Sequence, residues 1–171
     1  MREELDKLLC EKYPKMMVNR YKPMTETCMC WGFDCGNGWF NILNQLMGNI
    51  QHHIDWKNEQ KEKYNRGDGC PQVTLDQVKE KFGTLRFYYT GGDATIDGMV
   101  RMAESMSGVT CESCGNPAER NNDGGWVRTI CEPCDEKRLA DYEARMKKTT
   151  TKETQNEINY QFIGEDTGYH D

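Results

Sequence analysis

Long apolar runs are missing from this 171-residue chain, and none approaches the roughly 20 residues that a membrane-spanning helix needs. The first residues, MREELDKLLCEKYPK, are charged throughout and lack the apolar stretch of a secretory signal peptide. Positive charge is not in excess either, since 22 Lys and Arg stand against 28 Asp and Glu. We therefore expect a cytoplasmic protein with no membrane partner, and the charge disfavours nucleic acid as a partner.

The short motifs of common enzymes are also missing. The chain has no GxSxG, no P-loop and no HExxH, and Glu132-Pro133-Cys134 supplies only the second half of a deaminase signature because the His-x-Glu half is absent. No set of catalytic residues can be named from these patterns, and we expect a protein that is not an enzyme.

Cysteine, by contrast, is abundant, with nine residues. In a reducing compartment, paired cysteines bind metal more often than they bind each other. Cys111, Cys114, Cys131 and Cys134 form the pattern C-x2-C-x16-C-x2-C, which lies in the range of four-cysteine zinc sites. The spacing predicts one structural Zn²⁺ in a zinc ribbon; disulfides or free thiols are the alternative. A catalytic zinc is not expected, because four protein ligands leave no position for water.

The ribbon itself is indicated by the residues between the two cysteine pairs. Gly115 follows the first pair, where such a turn often needs a positive φ. The run NNDGG (121–125) predicts a turn, and WVRTI (126–130) predicts a strand.

A second group of cysteines is less regular. Cys28, Cys30 and Cys35 form C-x-C-x4-C, and with His53 or His52 they are a candidate second metal or thiol site. Buried or surface thiols are the favoured alternative, and a redox pair is a further one. His53 follows Ile50 by three residues and is expected at the boundary of an apolar helix face.

The remaining sequence predicts an α+β fold, with a small core of helices and a β-hairpin and an appended zinc ribbon. Apolar residues recur at helical spacing over about 39–64, capped by Asn37, and again over about 94–107, capped by Asp93, whose buried stripe includes Met106. Residues 72–90 predict a hairpin that turns at Gly83. We expect a core at 1–108, the ribbon plus a C-terminal helix at 109–148, and a polar, flexible tail at 149–171.

One face of the predicted hairpin and the turn after it form a candidate ligand site. Lys79, Lys81, Arg86 and Tyr88 bring positive charge and an aromatic ring, and Gly91-Gly92-Asp93 leads into a helix N-terminus, where free N–H groups can bind an anion. The alternative is an exposed hairpin face and an ordinary helix cap, since Asp93 already supplies negative charge there.

Three runs of the sequence stand out together, namely ETCMCWGFDCGNGWFNIL (26–43), QVKEKFGTLRFYYTGGD (77–93) and CESCGNP (111–117), and the string KFGxLRFYYxGG is the most specific part. With these runs the chain resembles a family of small, largely uncharacterised proteins of tailed bacteriophages and bacteria. The resemblance covers roughly residues 24–135. It implies an origin rather than a chemistry, namely a phage protein acting in the cytoplasm of the infected bacterial host cell.

Three functions remain in competition. The leading hypothesis is a non-catalytic zinc-ribbon binding protein, a phage accessory factor that binds a host protein or a nucleotide-like ligand, for example in counter-defence. The second is a nucleic-acid-binding ribbon that modulates transcription, for which Arg120 and Arg128 are among the candidate basic residues, although the segment also carries acids. The third is a thiol-dependent enzyme that uses Cys28, Cys30 or Cys35 with His53.

Overall fold

The computed structural model describes residues 1–122 and 125–164, with residues 149–164 described by their backbone alone. Helices and short strands alternate, which confirms the α+β class. The elements are α1 (Glu3–Lys12), β1 (Phe33–Asp34), α2 (Phe40–Tyr64), β2 (Thr74–Lys81), β3 (Thr84–Thr90), α3 (Ala94–Ser107), β4 (Glu119–Asn121), β5 (Arg128–Ile130) and α4 (Glu132–Gly164).

The hairpin of β2 and β3 is the centre of a three-stranded sheet of order β1-β2-β3. Strand β1 runs parallel to β2, and β2 pairs with β3 in antiparallel register with Val78 opposite Phe87. Since side chains alternate along a strand, one face buries Val78, Leu85 and Phe87. The hairpin turns at Phe82-Gly83, where both residues have positive φ.

Helices α2 and α3 contact each other, and α3 packs against β3. The periodicity is confirmed in α2, whose buried residues are Leu43, Leu46, Met47, Ile50 and Ile54. The cap prediction for this helix is wrong, because the N-cap is Trp39 and the Asn37 side chain instead accepts a hydrogen bond from the Arg2 N–H. In α3 the Asp93 cap is confirmed, but Met106 is 46% exposed, so the buried stripe is narrower than predicted.

The chain forms two compact units, residues Met1–Cys131 and Glu132–Asp171. We expected a boundary after residue 108, yet the ribbon strands β4 and β5 belong to the first unit. Hydrogen bonds over long sequence separations join the ribbon to the core, among them Trp39 Nε1 to the Thr110 carbonyl at 2.8 Å. The local composition of the sequence does not indicate such contacts.

Helix α4 is longer than the sequence led us to expect. It begins at Glu132 and continues to Gly164, so residues 149–164 are helical. The physical reason is that no Pro or Gly interrupts the chain between Pro133 and Gly164. The rest of the predicted tail, 165–171, lies outside the described residues. Within the described ranges, the helices all lack the combination of length and apolar content that crossing a membrane requires.

Candidate metal centre

The four ribbon cysteines come together as the pattern predicts. One Sγ atom from each of Cys111, Cys114, Cys131 and Cys134 lies within 4.8 Å of the other three. All are free thiols, and the sulfurs of Cys114 and Cys131 are 3.5 Å apart. A tetrahedron of sulfurs about 2.3 Å from a zinc ion has edges of about 3.8 Å, so the cluster matches a four-thiolate metal site.

The first cysteine pair forms a tight turn whose backbone prepares the sulfur for a cation. The Gly115 N–H donates to the Cys111 carbonyl at 2.8 Å, and Gly115 has a φ of 84°, a conformation that favours glycine. Burial acts to raise the pKa of the Cys111 thiol, but N–H groups of Cys131, Cys114 and Ser113 bond to its sulfur and lower that pKa to about 7. A thiolate, the form that binds metal, is therefore accessible at neutral pH.

The same turn is seated on the segment that precedes α2. The Gly38 N–H donates to the Glu112 carbonyl at 2.7 Å, and the Gly36 N–H donates to the Glu112 carboxylate at 2.8 Å. A Cβ on Gly38 would lie 2.2 Å from the Cys111 carbonyl oxygen and 2.4 Å from the Gly115 nitrogen. Only glycine permits this approach, so residues 36–38 form a seat for the first metal-binding turn.

Strand β5 fixes the second side of the ribbon. Its buried Thr129 accepts the Glu112 N–H at its carbonyl, and its hydroxyl donates to the Gly83 carbonyl in the hairpin turn at 2.5 Å. The ribbon therefore packs against the hairpin turn through Thr129. It also holds two of the four cysteines close together. Sequence reasoning found the strand but not this attachment, because no local signal links residues 46 positions apart.

The residues of the predicted second site do not assemble. In the described ranges, Cys28, Cys30 and Cys35 belong to neither group of potential metal ligands, and His53 lies in a group without them. Cys28 is exposed and Cys35 is buried, and burial raises the pKa of the Cys35 thiol to about 12. A thiol so hard to ionise is a poor nucleophile, which weighs against Cys35 as the nucleophile of the thiol-enzyme hypothesis.

A buried ion pair orders this cysteine-rich loop in place of a metal. The Asp6 carboxylate accepts from Arg20 Nε at 3.1 Å and from the Phe33 N–H at 3.2 Å, while Arg20 also donates to the Cys30 carbonyl at 2.9 Å. The loop is therefore held by charge-assisted hydrogen bonds.

His53 has different neighbours from those we expected. Its Nε2 lies 2.8 Å from Asp93 Oδ2, and His53, Asp93 and Cys70 form a second group whose potential ligand atoms lie within 4.8 Å of one another. No partner for Cys70 is recognisable from the sequence, since its neighbours come from α2 and from the start of α3.

The basic hairpin face and the glycine turn lie apart. In the register of β2 and β3, Lys79 lies opposite Arg86 and Lys81 lies opposite Thr84. The predicted basic face of the hairpin therefore exists near the turn. Gly91 follows the other end of β3, and the seven strand residues from Thr84 to Thr90 span about 20 Å. Arg86 Nη1 donates to the Thr84 hydroxyl and the Leu85 carbonyl, while Asp93 is occupied by the helix cap and His53. The structure does not bring these residues into one anion site.

Two exposed aromatic side chains lie beside the ribbon and are not among the candidate site residues that the sequence indicates. Phe82 and Trp126 are each 61% exposed and line a cavity of about 430 Å³ together with Glu80, Lys81, Gly125 and Val127. The available signal was the dipeptide Phe82-Gly83 at a tight hairpin turn, a place where Asn-Gly is the usual choice.

Comparisons of this chain with known protein families, with curated proteins and with solved structures found no match.

Proposed function

We propose that this chain is a non-catalytic binding protein whose ribbon is held by one structural Zn²⁺ and whose contact surface is the aromatic pair Phe82 and Trp126. Four thiolates at tetrahedral spacing are the donor set that zinc prefers, and they leave no open position for chemistry. The ion then stabilises a short segment that has little core of its own.

The observation that carries the contact surface is the backbone at Phe82. Its φ is 54°, in the left-handed region, which costs an L-residue with a bulky side chain about 1–2 kcal/mol. The side chain gains no burial in return, because it is 61% exposed. The hairpin turn needs positive φ at this position but not a bulky side chain. Local strain of this kind clusters at binding sites, and an aromatic ring presented in this way can be buried by a partner.

The surroundings indicate the chemistry of that partner. Lys81 Nζ lies 5.5 Å from the centre of the Phe82 ring, and the Arg128 guanidinium lies 5.8 Å from that of Trp126. The surface is therefore apolar at its centre with cations beside both rings, and the partner we propose is a protein with an apolar side chain bordered by acidic groups. The resemblance to phage proteins supports a host protein, with counter-defence as one setting for the interaction.

The test is affinity capture from bacterial lysate with matched variants. Phe82→Asn and Trp126→Ala are compared with Tyr21→Ala, a control that removes an exposed aromatic ring which also has an arginine beside it, at 5.5 Å. We expect a captured protein to be lost with the first two variants and kept with the third.

Equal capture by all variants, or no specific partner, refutes the proposal. Recovery of nucleic acid that is released by moderate salt would instead favour the transcription modulator, because phosphate contacts weaken steeply with ionic strength.

A further inference from the structure

We propose that His53, Cys70 and Asp93 bind a second divalent ion of the zinc type, with one coordination position left for water. This inference rests on neither the aromatic surface nor the ribbon. The three residues offer one imidazole nitrogen, one sulfur and one carboxylate oxygen, and these atoms lie within 4.8 Å of one another. Histidine, cysteine and a carboxylate are the three ligand types that zinc uses, and three-ligand zinc sites keep a fourth position for water.

The distances suit an ion at the centre of the group. Zinc bonds of about 2.0–2.3 Å to nitrogen, oxygen and sulfur place ligand atoms about 3.3–3.6 Å apart in a tetrahedron. His53 Nε2 and Asp93 Oδ2 are 2.8 Å apart, the length of a hydrogen bond, so they separate by about 0.5 Å when metal replaces the proton between them. A shift of that size needs only small side-chain rotations.

The carboxylate is already oriented for this role. Asp93 Oδ1 accepts from the N–H groups of Thr95 and Ile96 at 3.0 and 3.2 Å and so caps α3. Its other oxygen, Oδ2, faces His53. Oδ1 thus caps the helix, and its hydrogen bonds keep Oδ2 in position as a ligand. Hydrogen bonds from outside a metal site commonly orient the ligating side chains in this way.

The cysteine is fixed equally well by its backbone. The Asn58 side chain accepts from the Cys70 N–H at 2.8 Å and donates to the Cys70 carbonyl at 3.1 Å. The next carbonyl, that of Pro71, accepts from the Gly92 N–H at 3.1 Å, which brings Cys70 beside Asp93. The three ligands therefore come from α2, from the segment before β2 and from the cap of α3, each held by its own contacts.

Burial favours a metal ion over a nucleophilic triad of the same residue types. Cys70 is only 3% exposed, so its sulfur is closed to a substrate. The side chains of His53 and Asp93 are 15% and 28% exposed, which makes the carboxylate edge the open side. A water at the fourth position therefore belongs at the Asp93 edge.

The test is metal stoichiometry of the full chain. Protein stripped by chelator under reducing conditions is equilibrated with zinc chloride, passed over a gel-filtration column and analysed for zinc. We expect the wild type to retain two ions per chain, and His53→Gln and Asp93→Asn to retain one. Asp93→Asn is the sharper variant, since Asn caps a helix as well as Asp does and the fold is preserved, as circular dichroism will show.

The matched control is Cys10→Ser. Cys10 is also buried and also contacts a carboxylate, that of Asp6 at 3.4 Å, but it is not in either group of potential ligands in the described residues. We expect this variant to keep both ions. Cobalt titration gives a second readout, because the weaker site adds a single thiolate band that the Asp93→Asn variant lacks. A wild type whose bound zinc is not reduced by either site variant, whether it retains one ion or two, overturns the proposal and leaves the trio as a hydrogen-bonded anchor for α3.

Discussion

Replacing Gly38 by alanine tests whether the ribbon and the core unfold together. The new Cβ would lie 2.2 Å from the Cys111 carbonyl oxygen, 2.4 Å from the Gly115 nitrogen and 2.8 Å from the Cys114 nitrogen. These are backbone atoms of a turn that holds metal ligands, so they cannot rotate away as a side chain would. The turn must move by roughly 1 Å from its seat, because packed interiors do not absorb such overlap.

The cost follows from the contacts at this seat. Overpacking costs about 1–3 kcal/mol. The movement also strains three hydrogen bonds, from Gly38 N–H and Gly36 N–H to Glu112 and from the Trp39 indole to Thr110. Each is worth about 1 kcal/mol, so we expect a total loss of up to about 4–6 kcal/mol.

Urea unfolding, followed by circular dichroism and by tryptophan fluorescence, measures the effect. The control is Gly98→Ala in α3, where a new Cβ meets nothing within 4 Å. That change removes a glycine from a helix interior, and we expect it to raise the free energy of unfolding by about 0.5–1 kcal/mol. If Gly38→Ala unfolds within about 0.5 kcal/mol of the wild type, the ribbon is not seated as described and the reasoning fails.

Four further outcomes are expected. Cys114 is exposed, so replacing it by serine costs little packing. We expect Cys114→Ser to lose the ribbon zinc, measured by metal analysis, and several kcal/mol of stability, measured by thermal unfolding. Unchanged stability would contradict a structural ion. Thr129→Val leaves a buried carbonyl unsatisfied and lowers the free energy of unfolding by about 1–3 kcal/mol while bound zinc stays constant. Phe82→Asn raises stability by about 1 kcal/mol in urea unfolding, because Asn tolerates the left-handed conformation, and a loss would argue against strain there. Burial and the carboxylate of Asp6 raise the pKa of Cys10 to about 11, so stability falls as the pH rises from about 9 towards 11, and Cys10→Ala makes that decline shallower.

Much of the fold was predictable because its signals are local. The apolar spacing predicts α2 within a residue of its observed start, and Asp93 is recognisable as the cap of α3 from its position alone. The hairpin and its turn at Gly83 follow from alternation and from the need for positive φ. The two cysteine pairs predict their cluster because a four-thiolate site constrains spacing within each turn.

The candidate sites beyond the ribbon were not predictable in this way. The sequence makes His53 a candidate partner of Cys28, Cys30 and Cys35 because these residues share metal-binding chemistry, yet its neighbours are Cys70 and Asp93. The type of a residue indicates which ligands its side chain can bind. It does not indicate which other side chains the packing of the chain brings near that residue.

By itself the sequence determined the helices, the hairpin and the four-cysteine cluster, because each depends on residues close in the chain. Tertiary structure decided that the first metal-binding turn is seated on Gly38, that Thr129 attaches the ribbon to the hairpin, and that Phe82 stays exposed beside Trp126. These features depend on contacts across 40 or more positions, whose geometry is set by the packing of the whole unit rather than by any local preference.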